Sequence, residues 1–240
     1  SGSDLTGTVV TSDKEINVFG GHECANVPLG VNYCDHIEQQ LYPVQAWGDY
    51  YIADAFKPRN ENQVDTWRIM AGEDGVDVTL TPEVAGPFTG LSKGEFVEFA
   101  TGASFEVNAT GPVVTGHYLH GSNYPGHSDT CGYTGIGDPA FTIGVPVEQY
   151  LDEYVFLTPP FYQEDYINIV GEIGMTLTLD GSPITDPLVP IGNTGKGVLQ
   201  LSVPDGAHTI TGSTNFGLTA YGYDCDVSYA YPGGMKVQTL

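Results

Sequence analysis

Two stretches of the chain, roughly 100 to 110 residues apart, run through the same order of short apolar segments. That internal repeat limits the fold more than any motif does. Glu38-Gln39-Gln40-Leu41 leads into Tyr50-Tyr51-Ile52-Ala53, then Trp67-Arg68-Ile69, then Asp77-Val78-Thr79-Leu80. Glu148-Gln149-Tyr150-Leu151 leads likewise into Tyr154-Val155-Phe156-Leu157, Ile167-Asn168-Ile169-Val170 and Thr176-Leu177-Thr178-Leu179. Each half then ends in a pair of strands, Gly94 to Ala100 with Ser104 to Gly121, and Gly197 to Val203 with Ala207 to Asp224.

The segments are strand-sized, rich in Val, Ile, Phe, Tyr and Thr, and bounded by Gly, Pro or Asp. In Met175-Thr176-Leu177-Thr178-Leu179 the apolar residues fall on one face. Asp74-Gly75, Asp180-Gly181 and Asp205-Gly206 separate such runs, where type I′ hairpin turns want positive φ. Further strands are expected at Thr8 to Thr11 and Ile16 to Phe19. Only His36 to Leu41 and Val147 to Leu151 have the makings of a helical turn. The fold class is all-β: two tandem, internally repeated β-sandwich (jelly-roll-like) units packed together, at 36–135 and 136–240.

Residues 1–3, Ser1-Gly2-Ser3, read as a cloning remnant. Residues 4–35 resemble the closing strand of an upstream repeat followed by a disulfide loop. Two explanations stay open for this third copy. Either it completes a later sheet by a swap, or the chain is cut from a longer protein.

Cys24, Cys34, Cys131 and Cys225 allow three pairings, and none lies in a Cys-x-x-Cys pair. Cys24 and Cys225 follow equivalent closing strands, where the middle copy has Ser122. The repeat therefore favours a local Cys24–Cys34 bond and a long-range Cys131–Cys225 bond. Such bonds belong to an oxidising, extracellular or periplasmic compartment.

Charge excludes several partners. The 240 residues hold 30 Asp and Glu against 7 Lys and Arg, a formal charge of −23, yet charged residues are only 15% of the chain. The deficit is of bases. Nucleic acid is excluded because no set of cations can neutralise a run of phosphates, and anionic membranes are disfavoured for the same reason. No apolar stretch is long enough for membrane insertion as a helix.

The densest polar cluster joins His22 and Glu23 to Asp35 and His36 across the expected disulfide. These types could ligate a metal, but Glu38 recurs as Glu148 in a repeat without the histidines, which favours a hydrogen-bonded plug. Asp224 and Asp226 flank Cys225 and offer hard oxygens of the kind calcium takes, although no calcium-loop motif is present. No other cofactor is indicated. His117, His120, His127 and Asp129 are expected to line a surface loop, since a spacing of three puts the first two on opposite faces of a strand. No G-x-S-x-G, H-E-x-x-H or P-loop occurs, so the chain is read as no enzyme. Trp47, Tyr50, Tyr51, Tyr118, Tyr124, Tyr133, Tyr229 and Tyr231 are the candidate contact aromatics.

Several stretches together carry a family resemblance. They are Val18-Phe19-Gly20-Gly21-His22-Glu23-Cys24, Tyr33-Cys34-Asp35-His36-Ile37-Glu38-Gln39-Gln40, Gly137-Asp138-Pro139-Ala140, Pro146-Val147-Glu148-Gln149-Tyr150, and Val227-Ser228-Tyr229-Ala230-Tyr231-Pro232-Gly233-Gly234. They resemble the IgGFc-binding protein N-terminal domain family, with members among bacterial secreted and surface proteins. The resemblance implies a non-enzymatic extracellular or cell-surface adhesion module of a larger polypeptide with further domains, binding protein or glycan. The rivals are a calcium-dependent carbohydrate-binding module and a structural spacer without ligand.

Overall fold

The computed structural model describes residues 4–122, 131 and 135–240. Among these residues every regular element is a strand apart from two 3₁₀ turns, and the strands form two curled antiparallel sheets plus a separate hairpin. The hairpin is β1 (Phe19–Ala25) with β2 (Asp35–Gln40). The first sheet holds β3 (Gly48–Ala53), β4 (Asp65–Ala71), β5 (Val76–Thr81), β6 (Phe88–Leu91), β7 (Phe96–Thr101), β8 (Phe105–Leu119) and β9 (Ala140–Ile143). The second holds β10 (Leu151–Thr158), β11 (Glu164–Glu172), β12 (Leu177–Leu179), β13 (Ser182–Ile184), β14 (Val189–Pro190), β15 (Lys196–Ser202), β16 (Gly206–Asp224) and β17 (Val227–Pro232).

One long strand organises each sheet. The first half of β8 pairs with β3 and β5, and its second half with β4 and β9. β16 does the same with β10 and β12, then with β11 and β17. A single strand thus serves both layers of a sandwich by bending between them. β8 runs without a break from Phe105 to Leu119.

The bend is built identically in both units. Between Gly48 and Tyr50 the facing strand advances from Val113 to Asn108, and between Leu151 and Glu153 it advances from Phe216 to Thr211. A tyrosine pins each corner. The Tyr51 hydroxyl accepts from Gly48 N–H at 3.1 Å and donates to the Val113 carbonyl at 2.6 Å. The Tyr154 hydroxyl accepts from Leu151 N–H at 3.0 Å and donates to the Phe216 carbonyl at 2.5 Å. Tyr51 was expected to offer contact area. It is buried because its hydroxyl satisfies backbone groups that the bend removes from the ladder.

Each sandwich has its own apolar core. Tyr51, Trp67, Ile69, Val78, Phe105 and Val107 fill the first; Phe156, Ile167, Ile169, Leu199, Ile210 and Leu218 fill the second. Strand alternation supplies them, as in β5, where Val76, Val78 and Leu80 are buried between exposed Asp77, Thr79 and Thr81.

Three local expectations are corrected. No strand forms at Thr8 to Thr11, where none of the described residues pairs with the segment. His36 to Leu41 gives no helical turn, because Ile37 to Gln40 take up the ladder with His22 to Phe19; the turn follows at Val44–Ala46. Of the three Asp-Gly pairs only Asp180-Gly181 has positive φ at both residues, 49° and 78°, and only it joins two paired strands through a two-residue loop.

Candidate functional site

The two sandwiches meet through a polar seam. The segment after β3 enters the second unit: the Ala55 carbonyl accepts from Asn168 Nδ2 and Gln200 Nε2, each at 2.8 Å, and Lys57 N–H donates to the Tyr221 hydroxyl at 2.9 Å. Tyr221 in turn donates to Asn168 Oδ1 at 2.8 Å, and the Tyr223 hydroxyl donates to the Lys57 carbonyl at 2.8 Å. Arg59 fastens the neighbouring chain, donating to the carbonyls of His120, Ile136 and Gly137, with Tyr223 under its guanidinium. Phe56, Leu119, Ile136, Tyr221 and Tyr223 pack around these bonds.

His117 is buried in the first unit. Its ring is stacked between Phe56 at 3.9 Å and Trp67 at 3.7 Å, and its Nε2 lies 2.8 Å from Asp65 Oδ2. The same Asp65 oxygen accepts from Phe56 N–H at 2.9 Å, while Oδ1 accepts from Gln63 Nε2. His120 Nε2 lies 2.7 Å from the Thr66 hydroxyl. His117 and His120 are therefore buried network members rather than parts of a surface loop; β8 and the residue directly after it carry them between the units. His127, Asp129, Tyr124 and Tyr133 lie outside the described residues.

Asp54, directly after β3, is the most perturbed carboxylate. Burial pushes its pKa up to about 6, against the opposing pull of His117, Asn168 and Thr219. The residue as a whole keeps some exposure, but Oδ2 is enclosed and makes no hydrogen bond among the described residues.

The other polar candidates sit at the loop ends of the hairpins β1–β2 and β16–β17. The disulfides Cys24–Cys34 and Cys131–Cys225 are both formed, with Cα atoms 5.0 and 5.3 Å apart. His22 Nδ1 accepts from Cys24 N–H, Asp35 Oδ1 accepts from His36 N–H, and exposed His36 faces Glu38 at 3.5 Å; Glu23 is exposed. Asp224 accepts from Gln163 Nε2 and from Cys225 N–H. Burial raises the pKa of Asp138, and the nearby charges of Asp35 and Asp226 add to the rise. Among the described residues no three His, Cys, Asp or Glu are grouped to hold a metal ion.

The candidate aromatics divide by environment. Trp47 lines an open cleft of about 630 Å³ with Asp49, Glu73 and Glu148. Tyr50 is tied to Glu106 at 2.8 Å. Tyr118 is stacked on Phe141 at 4.5 Å, with Arg68 over its ring. Tyr229 and Tyr231, on β17, are half-buried and stacked at 6.1 Å. Tyr162, which the sequence reading missed, meets Tyr229 edge-on at 4.8 Å and extends them into a three-ring ladder. The Tyr229 hydroxyl anchors the ladder by donating to Asp165 Oδ1 at 2.5 Å, and the Tyr231 hydroxyl donates to the Leu157 carbonyl at 2.5 Å. A ladder so held is rigid, amphipathic and partly open.

A family model described as IgGFc binding protein matches residues 1–222. The chain belongs to the IgGFc-binding protein family. The human IgGFc-binding protein (Homo sapiens) is 25% identical over 235 residues, which is 96% of this chain but only 4% of that protein's length. Among solved structures, an anti-sigma factor domain-containing protein covers 77% of this chain and 81% of its own at 9% identity and a TM-score of 0.19, a level that carries no argument. The family members share with this chain a run that takes in the hairpin, all of the first sandwich and most of the second.

Proposed function

We propose that this chain is a non-enzymatic, extracellular protein-binding module of a larger secreted or surface polypeptide, with the tyrosine ladder of β17 as its contact face. The carrying observation is the ladder itself, Tyr162, Tyr229 and Tyr231, half-buried and fixed by hydroxyl bonds to Asp165 and Leu157. Pre-oriented tyrosines supply contact area at low entropic cost, which suits protein recognition. Two disulfides fit an oxidising compartment, and the name of the human relative supports a binding role. The scarcity of Lys and Arg directs the module toward neutral or basic protein surfaces. Adhesion of a cell surface through this face, to protein rather than glycan, is the finer form of the reading.

The human relative's name makes the immunoglobulin Fc fragment the first ligand to offer. Surface plasmon resonance of the immobilised chain against Fc, Fab and a panel of extracellular matrix proteins is the test. Tyr162→Ser, whose hydroxyl holds no bond described above, is expected to weaken the positive partner at least tenfold without changing the melting temperature. Binding that survives both Tyr162→Ser and Tyr229→Phe moves the site elsewhere. Retention of no protein at all sinks the reading.

A further inference from the structure

The hairpin β1–β2 is a third copy of a device that the two sandwiches each use once. β2 ends at Gln40 and a 3₁₀ turn follows at Val44–Ala46 behind Pro43; β9 ends at Ile143 and a 3₁₀ turn follows at Val147–Gln149 behind Pro146. β2 therefore corresponds to β9, and β1 to the second half of β8. In the complete copies that half-strand is paired on both sides. β8 takes β9 on one edge and β4 on the other, from Tyr118 opposite Thr66 to Val113 opposite Ala71. β16 takes β17 and, on its other edge, β11, from Tyr223 opposite Glu164 to Gly217 opposite Val170.

Among the described residues β1 has β2 on one edge and no strand on the other. The Leu41 N–H bond to the Val18 carbonyl sets the alternation of the ladder, which turns the backbone groups of Phe19 and Gly21 to the empty side. Every β1 residue except Gly20 and Ala25 is exposed, whereas the corresponding stretch of β8 is buried or half-buried throughout. The apolar side chains tell the same story: of sixteen large ones left exposed among the described residues, nine fall between Leu5 and Val44, and Phe19 is 60% exposed. An unprotected strand edge beside uncovered apolar surface is a template for strand addition.

We propose that the free edge of β1 is an interaction site for a further sandwich unit of this same repeat, which supplies an antiparallel strand of the β4 or β11 kind. The occupant follows from the two copies that are complete: both place such a strand on the equivalent edge, in the same direction. A second copy of this chain is a poorer occupant, because its β4 and β11 already pair on both edges and each molecule carries a charge of −23.

The test offers the full chain a synthetic peptide with the β11 sequence, residues 164–172, and a scrambled peptide of equal composition. Hydrogen exchange read by mass spectrometry is expected to slow at least tenfold across residues 19–25 with the β11 peptide alone. Phe19→Pro, which removes an outward N–H, should abolish the effect while exchange on β2 stays unchanged. If that variant loosens the hairpin itself, Phe19→Lys serves in its place. No peptide-dependent protection at millimolar concentration overturns the proposal. So does sedimentation of the chain as a dimer that Phe19→Lys dissociates.

Discussion

Asp65, the first residue of β4, and Asp165, the second of β11, are both buried, yet they are satisfied by opposite means. Asp65 faces inward to a histidine ring, a backbone N–H and a glutamine amide. Asp165 faces a tyrosine hydroxyl on the last strand, and its pKa is raised, first by burial and also by the charge of Asp205. One carboxylate locks the seam between units; the other holds up the ladder proposed as the binding face. The bent-strand scaffold is duplicated, while the side chains hung on it have diverged toward cohesion in one unit and display in the other. The paired corner tyrosines did not diverge, because each answers a backbone need that both units share.

The severest way to break the comparison is to untie the units. Cys131→Ala with Cys225→Ala opens a loop spanning 94 residues and is expected to cost on the order of 4 to 5 kcal/mol in the entropic model, measured by urea unfolding. Loss of less than about 1 kcal/mol would mean that the seam alone holds the units together.

Next in size is the direct contrast. Asp65→Ala strands three donors and should cost about 2 to 4 kcal/mol, whereas Asp165→Ala frees one hydroxyl near solvent and should cost about 1 kcal/mol or less. Equal costs would erase the distinction drawn here. The Asp165 variant should instead reduce partner binding, since Tyr229 loses its anchor.

Asp54 sharpens the seam by pH. Its folded pKa of about 6 lies above the ordinary value of 3.8, so the folded state holds a proton that the unfolded state releases. Stability contributed by this group is therefore gained as pH falls from 7 through 6 toward 4, and is lost as pH rises through 6. Asp54→Asn is expected to raise stability at pH 7 by about 2 kcal/mol and to flatten the profile between about pH 4 and 6. Equal dependence of melting temperature on pH in the wild type and Asp54→Asn across that range contradicts this.

Much of the architecture was legible beforehand. Alternation in segments such as Val76 to Leu80 carried the strands, and the position of Ser122 against Cys24 and Cys225 carried both disulfide pairings. The segment at Thr8 to Thr11 misled, since an apolar run becomes a strand only when another chain lies beside it. The site was less legible. Tyr229 and Tyr231 were named, but Tyr51 looked equally available, and nothing local marks one as a pin and the others as a ladder. Tyr162 went unnoticed and the buried role of Asp54 was not legible, for their significance depends on partners 67 and more than a hundred residues away: Tyr229 for the first, Asn168 for the second.

The sequence by itself determined an all-β, duplicated, base-poor and disulfide-linked chain, because period, turn residues and composition act locally or as sums. Only the tertiary structure decided that one strand would bend through both layers of each sandwich. It alone placed His117 between two rings, left one edge of β1 unpaired among the described residues and set three tyrosines in line. These outcomes depend on which distant segments meet, and burial, pairing and exposure are settled by that meeting.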